Sequence, residues 1–192
     1  MKIFITGVAG FLGSHLADLM ISEGHSVAGN DNMIGGYTDN VPQNVEFYQI
    51  DCCDLENMTK AMEGCDVVYH TAATAYEGLS VFSPVLVTRN IFEASVATIT
   101  AAIRNKVKRI VYCSSMARYG HHDNVPYKED YECRPQDPYG IAKKAGEDVL
   151  INLCETHGVE YVIAVPHNIV GPRQKYDCLL YTSPSPRDRT TS

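Results

Sequence analysis

Short runs of apolar and β-branched residues alternate with longer amphipathic stretches along most of the chain. The short runs predict six strands, and the stretches between them carry the apolar spacing of helices. The predicted strands are KIFIT, HSVAGN, NVEFYQI, DVVYH, RIVYCSS and YVIAV. Strands that alternate with helices predict a doubly wound α/β fold, in which helices cover both faces of a parallel sheet. Sheets of this kind bind ligands at the carboxyl ends of their strands.

Four helices are predicted between the strands. They span residues 11–24, 55–62, 83–105 and 138–158. Proline at the first helical position marks the start of the last two, after Ser83 and Asp137. The first helix is expected to end at Gly24. We expect it to pack on the sheet through one apolar stripe, formed by Leu12, Leu16, Leu19 and Met20.

Length and charge narrow the classes of function. The chain has 192 residues, enough for one full-sized domain, and its net charge of −7 argues against a nucleic-acid binder. No apolar run is long enough to span a membrane, and the first residues do not form a signal peptide, so we expect a cytoplasmic protein. Seven cysteines lack C-x-x-C or zinc spacing, so free thiols and no metal site are expected.

A glycine triplet lies directly after the first predicted strand. TGVAGFLG places Gly7, Gly10 and Gly13 at the mouth of the first helix. The first glycine permits a tight turn, the second lets backbone N–H groups approach a pyrophosphate, and the third allows close packing of helix and strand. Phe11 and Leu12, between the second and third glycines, are assigned to the same cofactor site. The motif and its context predict a Rossmann-type site for a dinucleotide.

Acidic residues follow the second and third strands. Asp31, with Asn32 beside it, is placed to accept hydrogen bonds from the adenosine ribose hydroxyls, and it would repel a 2′-phosphate. NAD is therefore favoured over NADP. Asp51 could reach the adenine edge, with the backbone of Cys52 beside it. A solvated loop carboxylate is the alternative for Asp51.

The fourth strand ends in HTAA. The small residues Ala72 and Ala73 would let a cofactor lie against the backbone. His70 is expected to be a packed residue rather than a catalyst.

Tyr139 and Lys143 lie four residues apart in DPYGIAKK and so share one helix face. Tyrosine ionises near pH ~10, and a nearby cation and a place in the first helical turn both favour phenolate. Lys143 could also hydrogen-bond the nicotinamide ribose. Ser115, at the end of the fifth strand, could bond the phenol oxygen and a substrate hydroxyl and complete a proton path. A surface helix pair is the alternative for the Y-x-x-x-K spacing alone.

With these motifs in place, the chain resembles the extended short-chain dehydrogenase/reductases of the NAD-dependent epimerase/dehydratase family, and most of all their UDP-glucose 4-epimerase group. The resemblance covers residues 1 to about 177. It implies catalytic roles for Ser115, Tyr139 and Lys143, a cofactor contact for Asn90, and a contact of Asn168 with the nucleotide-sugar diphosphate. Ala75 stands where 4-epimerases often have lysine, which leaves the subgroup and the sugar open.

The resemblance implies a nucleotide-sugar 4-epimerase that acts through a transient 4-keto sugar and regenerates its NAD, in a homodimeric full-length protein. A 4,6-dehydratase of the same family is an alternative, but Met116 and Ala117 replace the acid and base that it needs. A reductase or steroid-type dehydrogenase stays open, because the three catalytic residues do not fix the substrate. The alternative outside the enzymes is a protein that binds NAD without catalysing a reaction.

The last residues have a composition of their own. Residues 178–192, CLLYTSPSPRDRTTS, show no strand or helix period. Cys178 to Asp188 matches the translation of a common transposase-based sequencing adapter. We therefore expect an NAD-binding domain with the catalytic residues at 1–177, a non-native tail at 178–192, and a missing C-terminal substrate domain. Such a fragment is expected to be inactive.

Overall fold

The computed structural model describes residues 1–75, 77–123 and 126–174, with the side chain of Glu77 left out. The boundary proposed at residue 177 and the 178–192 tail lie outside these ranges. Six strands form the frame: β1 Lys2–Thr6, β2 Ser26–Asn30, β3 Val45–Tyr48, β4 Val67–His70, β5 Arg109–Cys113 and β6 Glu160–Ala164. The helices are α1 Phe11–Ser22, α2 Leu55–Ala61, α3 Glu77–Ser80, α4 Pro84–Thr88, α5 Ala94–Arg104 and α6 Pro138–His157.

The strands form one parallel sheet in the order β3-β2-β1-β4-β5-β6. This confirms the predicted α/β architecture with a doubly wound sheet. The chain first moves outward from β1 to β3 and then crosses back to β4 on the other side of β1. Loops that leave the carboxyl ends of β1 and β4 therefore diverge, and a crevice opens where the direction reverses.

Both faces of β1 are buried, which explains its unbroken apolar run. Phe4 belongs to a core under α2, α5 and α6, whereas Ile3 and Ile5 belong to a second core under α1. The stripe predicted for α1 is wrong at Leu19, which is 52% exposed. Residues Gly13, Ser14 and Ala17 are the buried positions of α1, because this helix lies so close to the sheet that small residues face it.

The predicted long helix at 83–105 is present but not uniform. A π-helical turn, Arg89–Glu93, separates α4 from α5. Such turns insert an extra residue and are frequent at functional sites. Helix α6 is regular and well capped: the Asp137 carboxylate accepts from Gly140 N at 2.9 Å, and Gly158 ends the helix in the left-handed conformation at φ 68°.

Candidate functional site

A cavity of about 670 Å³ opens at the carboxyl ends of the strands. Its volume lies within the range of sites that bind small molecules and cofactors. Every residue nominated from the sequence lines it: Gly7, Gly10, Phe11, Leu12, Gly13, Asp31, Asn32, Asp51, Cys52, Ala72, Ala73, Asn90, Ser115, Tyr139, Lys143 and Asn168. The structure thus brings together groups that lie up to 161 residues apart in the chain (168 − 7).

The glycine loop depends on the absence of side chains at two positions. Gly7 has φ 70°, and a Cβ there would lie 2.9 Å from the Cα of Ala72. A Cβ on Gly13 would overlap the carbonyl oxygen of Gly7. The Asn30 carbonyl fixes the loop, since it accepts from the N–H groups of Gly7 at 2.8 Å and Val8 at 3.1 Å. The turn therefore passes close to β4 and holds α1 against β1.

The start of α1 fits a dinucleotide pyrophosphate. Its N-cap residue, Gly10, provides no side-chain cap. The first N–H groups of a helix have no partner within the helix, and they carry a partial positive charge. Phe11, Leu12 and Gly13 bring this first turn to the cavity wall. The loop can therefore hold phosphate oxygens through backbone donors.

Asp31 lies directly after β2, at the inner wall of the cavity. Its two carboxylate oxygens accept from Ala9 N at 3.2 Å and Met33 N at 2.8 Å. Burial raises the pKa of Asp31, although these two hydrogen bonds oppose the rise. A desolvated carboxylate of this kind gains from further donors, such as the hydroxyls of a ribose.

A loop at 32–40 covers Asp31, and sequence reasoning missed it. Tyr37 N and Asn40 Nδ2 both donate to the carbonyl of Ala9, at 3.0 and 3.1 Å. A Cβ on Gly36 would lie 2.8 Å from Ala9 Cβ and 2.9 Å from Asp31 Oδ2. The Gly35-Gly36 pair was the available signal for this close approach, and both glycines line the cavity.

Asp51 belongs to a hydrogen-bonded group at the cavity wall that also includes Asn32, the neighbour of Asp31. It accepts from Asn32 Nδ2 at 3.0 Å, from Cys53 N at 2.8 Å and from Arg89 Nη1 at 3.4 Å. Burial raises the pKa of Asp51, but the hydrogen bonds from Asn32 and Cys53 and the Arg89 charge outweigh burial and leave it below its ordinary value. Asp51 is thus an ionised acceptor at neutral pH.

His70 is fully buried beneath the cavity and connects three elements. Its Nδ1 lies 2.8 Å from Thr6 Oγ1, and its Nε2 lies 3.0 Å from Ser95 Oγ. The Thr6 hydroxyl already accepts from Thr71 N and Ala72 N, both at 3.1 Å, so its proton points to Nδ1. His70 is therefore neutral and protonated on Nε2. Burial, with a smaller effect from Lys143, lowers its pKa to about 3.

Tyr139 and Lys143 lie on the buried face of α6, where Tyr139 occupies the first turn. Lys143 Nζ donates to the carbonyl of Cys113 at 2.7 Å, at the end of β5. Burial lowers the pKa of Lys143, against the effects of Cys113 and Glu147. Ser115 Oγ accepts from Ala117 N at 3.2 Å, which leaves the hydroxyl proton available to a partner in the cavity.

A charged pair supports this part of the site from behind. Glu147, one turn after Lys143, is buried and accepts from Arg118 Nη1 at 2.9 Å and from the hydroxyl of Ser114. Arg118 belongs to the short turn Met116–Tyr119 that Ser115 caps. The pair therefore holds the Ser115 turn against the helix that carries Tyr139 and Lys143.

Residues after β6 complete the wall of the cavity. Sequence reasoning named Asn168 there, and the structure adds Pro166, His167, Ile169, Arg173 and Gln174. Arg173 Nη1 donates to Asp18 on α1 at 2.6 Å, and His15 on the same helix lies 2.9 Å from the Pro172 carbonyl. These contacts cross more than 150 residues of chain, so no local pattern predicts them.

The residues that the structure describes offer neither a cluster of metal ligands nor a membrane-spanning helix. Within residues 1–75, 77–123 and 126–174, no group of three or more His, Cys, Asp or Glu side chains is arranged to hold a metal ion. Over the same ranges, no helix combines the length and the hydropathy needed to cross a bilayer.

The sequence matches the NAD dependent epimerase/dehydratase family over residues 3–182. The chain belongs to this family. Among curated members, it is 31% identical over 180 residues to a probable UDP-arabinose 4-epimerase from Arabidopsis thaliana, which covers 88% of this chain and 44% of that protein. It is 32% identical over 173 residues to a UDP-glucose 4-epimerase from Streptomyces lividans, which covers 88% of this chain and 53% of that protein.

Solved structures share the fold of this chain. The UDP-glucose 4-epimerase of Thermotoga maritima, solved with UDP-glucose, has a TM-score of 0.89 and 32% identity, over 93% of this chain and 59% of that one. A dTDP-glucose 4,6-dehydratase from Streptomyces venezuelae also has a TM-score of 0.89, but at 23% identity it shows the fold alone. The chain spans about half the length of its curated epimerase/dehydratase relatives.

Proposed function

We propose that this chain carries the NAD site and the proton-transfer residues of a nucleotide-sugar 4-epimerase that acts on UDP-sugars. The observation that carries the proposal is the shared cavity: Tyr139, Lys143 and Ser115 line the same space as the glycine loop and Asp31. A dinucleotide held by the loop and by Asp31 would extend toward the tyrosine.

The NAD part of the proposal rests on residues that fit the pyrophosphate and the adenosine ribose of the cofactor. The first turn of α1 offers N–H donors to the pyrophosphate, and Asp31 offers acceptors to the adenosine ribose. A 2′-phosphate would lie against a desolvated carboxylate, which disfavours NADP. The family is NAD-dependent, and the Thermus thermophilus UDP-glucose 4-epimerase, 31% identical to this chain, was solved in complex with NAD.

The proposed chemistry divides between three side chains. Tyr139, placed in the first turn of α6, takes the proton from the sugar 4-hydroxyl and later returns it. Lys143 supplies the positive charge that favours phenolate, and Ser115 donates its hydroxyl proton within the site. NAD, which the glycine loop and Asp31 would hold, would supply a reversible hydride acceptor for the sugar C4. Inversion at C4 would require the 4-keto sugar to present its opposite face before the hydride returns.

Epimerisation is preferred to dehydration because of the two residues after Ser115. Elimination of water from the sugar needs a further acid and base near C5 and C6. Met116 lines the cavity at this point, and Ala117 uses its backbone N–H on Ser115. Neither side chain can transfer a proton. The relatives near 30% identity carry 4-epimerase names, which supports the same choice.

We infer that residues 1–177 are the NAD-binding and catalytic part of the protein and that residues 178–192 are foreign to it. We also propose that the 192-residue chain is inactive by itself. Reading the source DNA across codon 177 tests this directly. A frame that continues into a further domain would support it, whereas a genomic copy of CLLYTSPSPRD would overturn it.

We propose that the whole protein is a homodimer that pairs through the start of α4 and of α6. Phe82 and Val85, at 85% and 82%, are far more exposed than apolar side chains usually are, and Ile141 on α6 is 54% exposed. Light scattering on the wild type and on Val85→Asp tests this, and a monomeric wild type would contradict it.

In the activity test, UDP-glucose, UDP-galactose, UDP-arabinose and UDP-xylose are given to the protein that the uninterrupted gene encodes. If the reading frame ends at residue 192, they are given to the 192-residue chain. Products are separated by chromatography. The proposal predicts interconversion of C4 epimers without net NADH, lost in Tyr139→Phe and kept in Tyr161→Phe, whose tyrosine does not line the cavity. A 4-keto-6-deoxy product or net NADH release would overturn it.

A further inference from the structure

Arg89 is a cationic residue beside the cavity, on the π-helical turn between α4 and α5, and it contacts two residues that line the cavity, Asp51 and Asn90. Its guanidinium Nη1 donates to Asp51 Oδ2 at 3.4 Å and to the Asn90 side-chain oxygen at 3.3 Å. Asn90 Nδ2 in turn donates to Thr74 Oγ1 at 3.0 Å, after β4. The turn thus joins residues that follow two different strands.

A second contact strengthens this connection. The Cys53 thiol lies 3.6 Å from the carbonyl oxygen of Arg89, so the main chain of the turn also meets the segment after β3. The extra residue of a π turn widens the helix locally and changes the direction of its side chains. Here Asn90 faces the cavity, while Arg89 reaches across to Asp51.

Three hydrogen bonds restrict the orientation of the Asp51 carboxylate. Cys53 N fixes one oxygen at 2.8 Å, and Asn32 Nδ2 and Arg89 Nη1 share the other. The carboxylate therefore presents its remaining lone pairs in a set direction at the cavity wall. A group that reads the exocyclic amine of a purine needs such fixed acceptors.

We propose that Arg89 is a positioning residue for recognition of the adenine base: it holds Asp51 so that the carboxylate accepts from the adenine amine. The inference rests on the proposed NAD site. In the free protein the Arg89–Asp51 pair is solvent-exposed and contributes little to stability. A base lying against Asp51 excludes water from the pair, so its effect appears mainly in the affinity for the cofactor.

Arg104 provides a matched control. Its side chain is 45% exposed, against 44% for Arg89, and it forms a comparable surface pair with Glu56 at 2.9 Å. Neither arginine lines the cavity itself, but Arg89 contacts Asp51, which does, whereas Arg104 contacts Glu56, which does not. Loss of either arginine removes one exposed ion pair, but only Arg89 contacts the group proposed to read the base.

The test compares NAD with nicotinamide hypoxanthine dinucleotide, in which a carbonyl oxygen replaces the adenine amine. Dissociation constants are measured by calorimetry for the wild type and for Asp51→Asn, Arg89→Ala, Arg89→Lys and Arg104→Ala in the full chain. Thermal unfolding of each free variant is recorded as well. The wild type is expected to prefer NAD by about tenfold, the effect of one hydrogen bond to a charged group.

Asp51→Asn should remove the preference for NAD over nicotinamide hypoxanthine dinucleotide. Arg89→Ala should reduce this preference by about threefold or more, without a shift in the unfolding temperature of the free protein. Arg89→Lys should recover part of it, and Arg104→Ala should leave it unchanged. An unchanged preference in Arg89→Ala, or a wild type that binds both dinucleotides equally, would overturn the inference while the NAD site stands. A wild type that binds neither would overturn the proposed function together with it.

Discussion

Lys143 is held at the site by Cys113, whose carbonyl oxygen lies 2.7 Å from the lysine Nζ. The bond joins the buried face of α6 to the carboxyl end of β5, the strand that leads to Ser115. Burial of the ammonium lowers the pKa of Lys143, which means that the folded protein holds this charge at a cost. A buried lysine whose pKa is shifted in this way, at the wall of a cavity, is typical of functional sites.

Lys143→Met is therefore expected to abolish activity without loss of stability. The substitution keeps the apolar stem and removes the buried charge, so the free energy of unfolding should stay equal or rise by about 1 kcal/mol. The turnover rate should fall by about 100-fold or more, because the phenolate of Tyr139 loses its cation. Urea unfolding and the UDP-sugar assay measure the two effects.

The control for this change is Lys144→Met on the same helix. Lys144 pairs with Asp148 at the surface and does not line the cavity. Lys144→Met should change neither the free energy of unfolding nor the turnover rate by much. A Lys143→Met protein that is clearly destabilised but still binds and turns over substrate would assign the lysine a purely structural role.

Gly13→Ala is expected to damage both folding and cofactor binding. The new Cβ would overlap the backbone carbonyl of Gly7, which cannot move without displacing the turn under α1. Overpacking of this kind costs about 1–3 kcal/mol. We expect a lower midpoint of urea unfolding and a loss of NAD affinity of about tenfold or more.

Gly78→Ala is the matched comparison, because a Cβ there meets no atom within 4 Å and the position is helical. Alanine should be tolerated or mildly stabilising at this site. Equal behaviour of the two alanine variants would show that the glycine loop does not need the close approach seen here.

The stability of the fold should fall between pH 7 and pH 5, in part through His70. Its folded pKa is about 3, below the ordinary value of 6.5. Protons therefore bind to the unfolded chain before the folded one, so this stabilisation is present above pH 6.5 and is lost as the pH falls toward 3. The slope is about 1.4 kcal/mol per pH unit, or on the order of 2 kcal/mol by pH 5.

Urea unfolding at pH 7, 6 and 5 tests this prediction. His70→Gln cannot be protonated, so its stability should depend less steeply on pH than that of the wild type. His121→Gln removes a histidine whose side chain is 73% exposed and should leave the slope unchanged. Identical slopes for His70→Gln and the wild type would show that folding does not lower the pKa of His70.

The main outline of this fold could be predicted from sequence, because alternating strands and helices leave few arrangements of a parallel sheet. Most of the nominated residues then gather at one edge because their motifs directly follow strands, and Asn90, Tyr139 and Lys143 join them from helical segments. Their individual roles stay predictions. The stripe of α1 was misjudged at Leu19 because the helix approaches the sheet through the small residues Gly13, Ser14 and Ala17 instead.

Contacts between residues that are far apart in the sequence could not be predicted from local patterns. The Thr6–His70 hydrogen bond joins residues 64 positions apart, and its partner Ser95 comes from a third element. The π turn that brings Arg89 to Asp51 has no period in the sequence that distinguishes it from an ordinary helix. Such features depend on packing between elements, which local patterns do not encode.

A calorimetric titration of the 192-residue chain with NAD and with NADP tests the proposed NAD site most directly. We expect saturable binding of NAD, and binding of NADP that is weaker by about tenfold or more, because its 2′-phosphate would meet the Asp31 carboxylate. A folded chain that binds neither, or binds both equally, would contradict the claim that this cavity is an NAD site governed by Asp31.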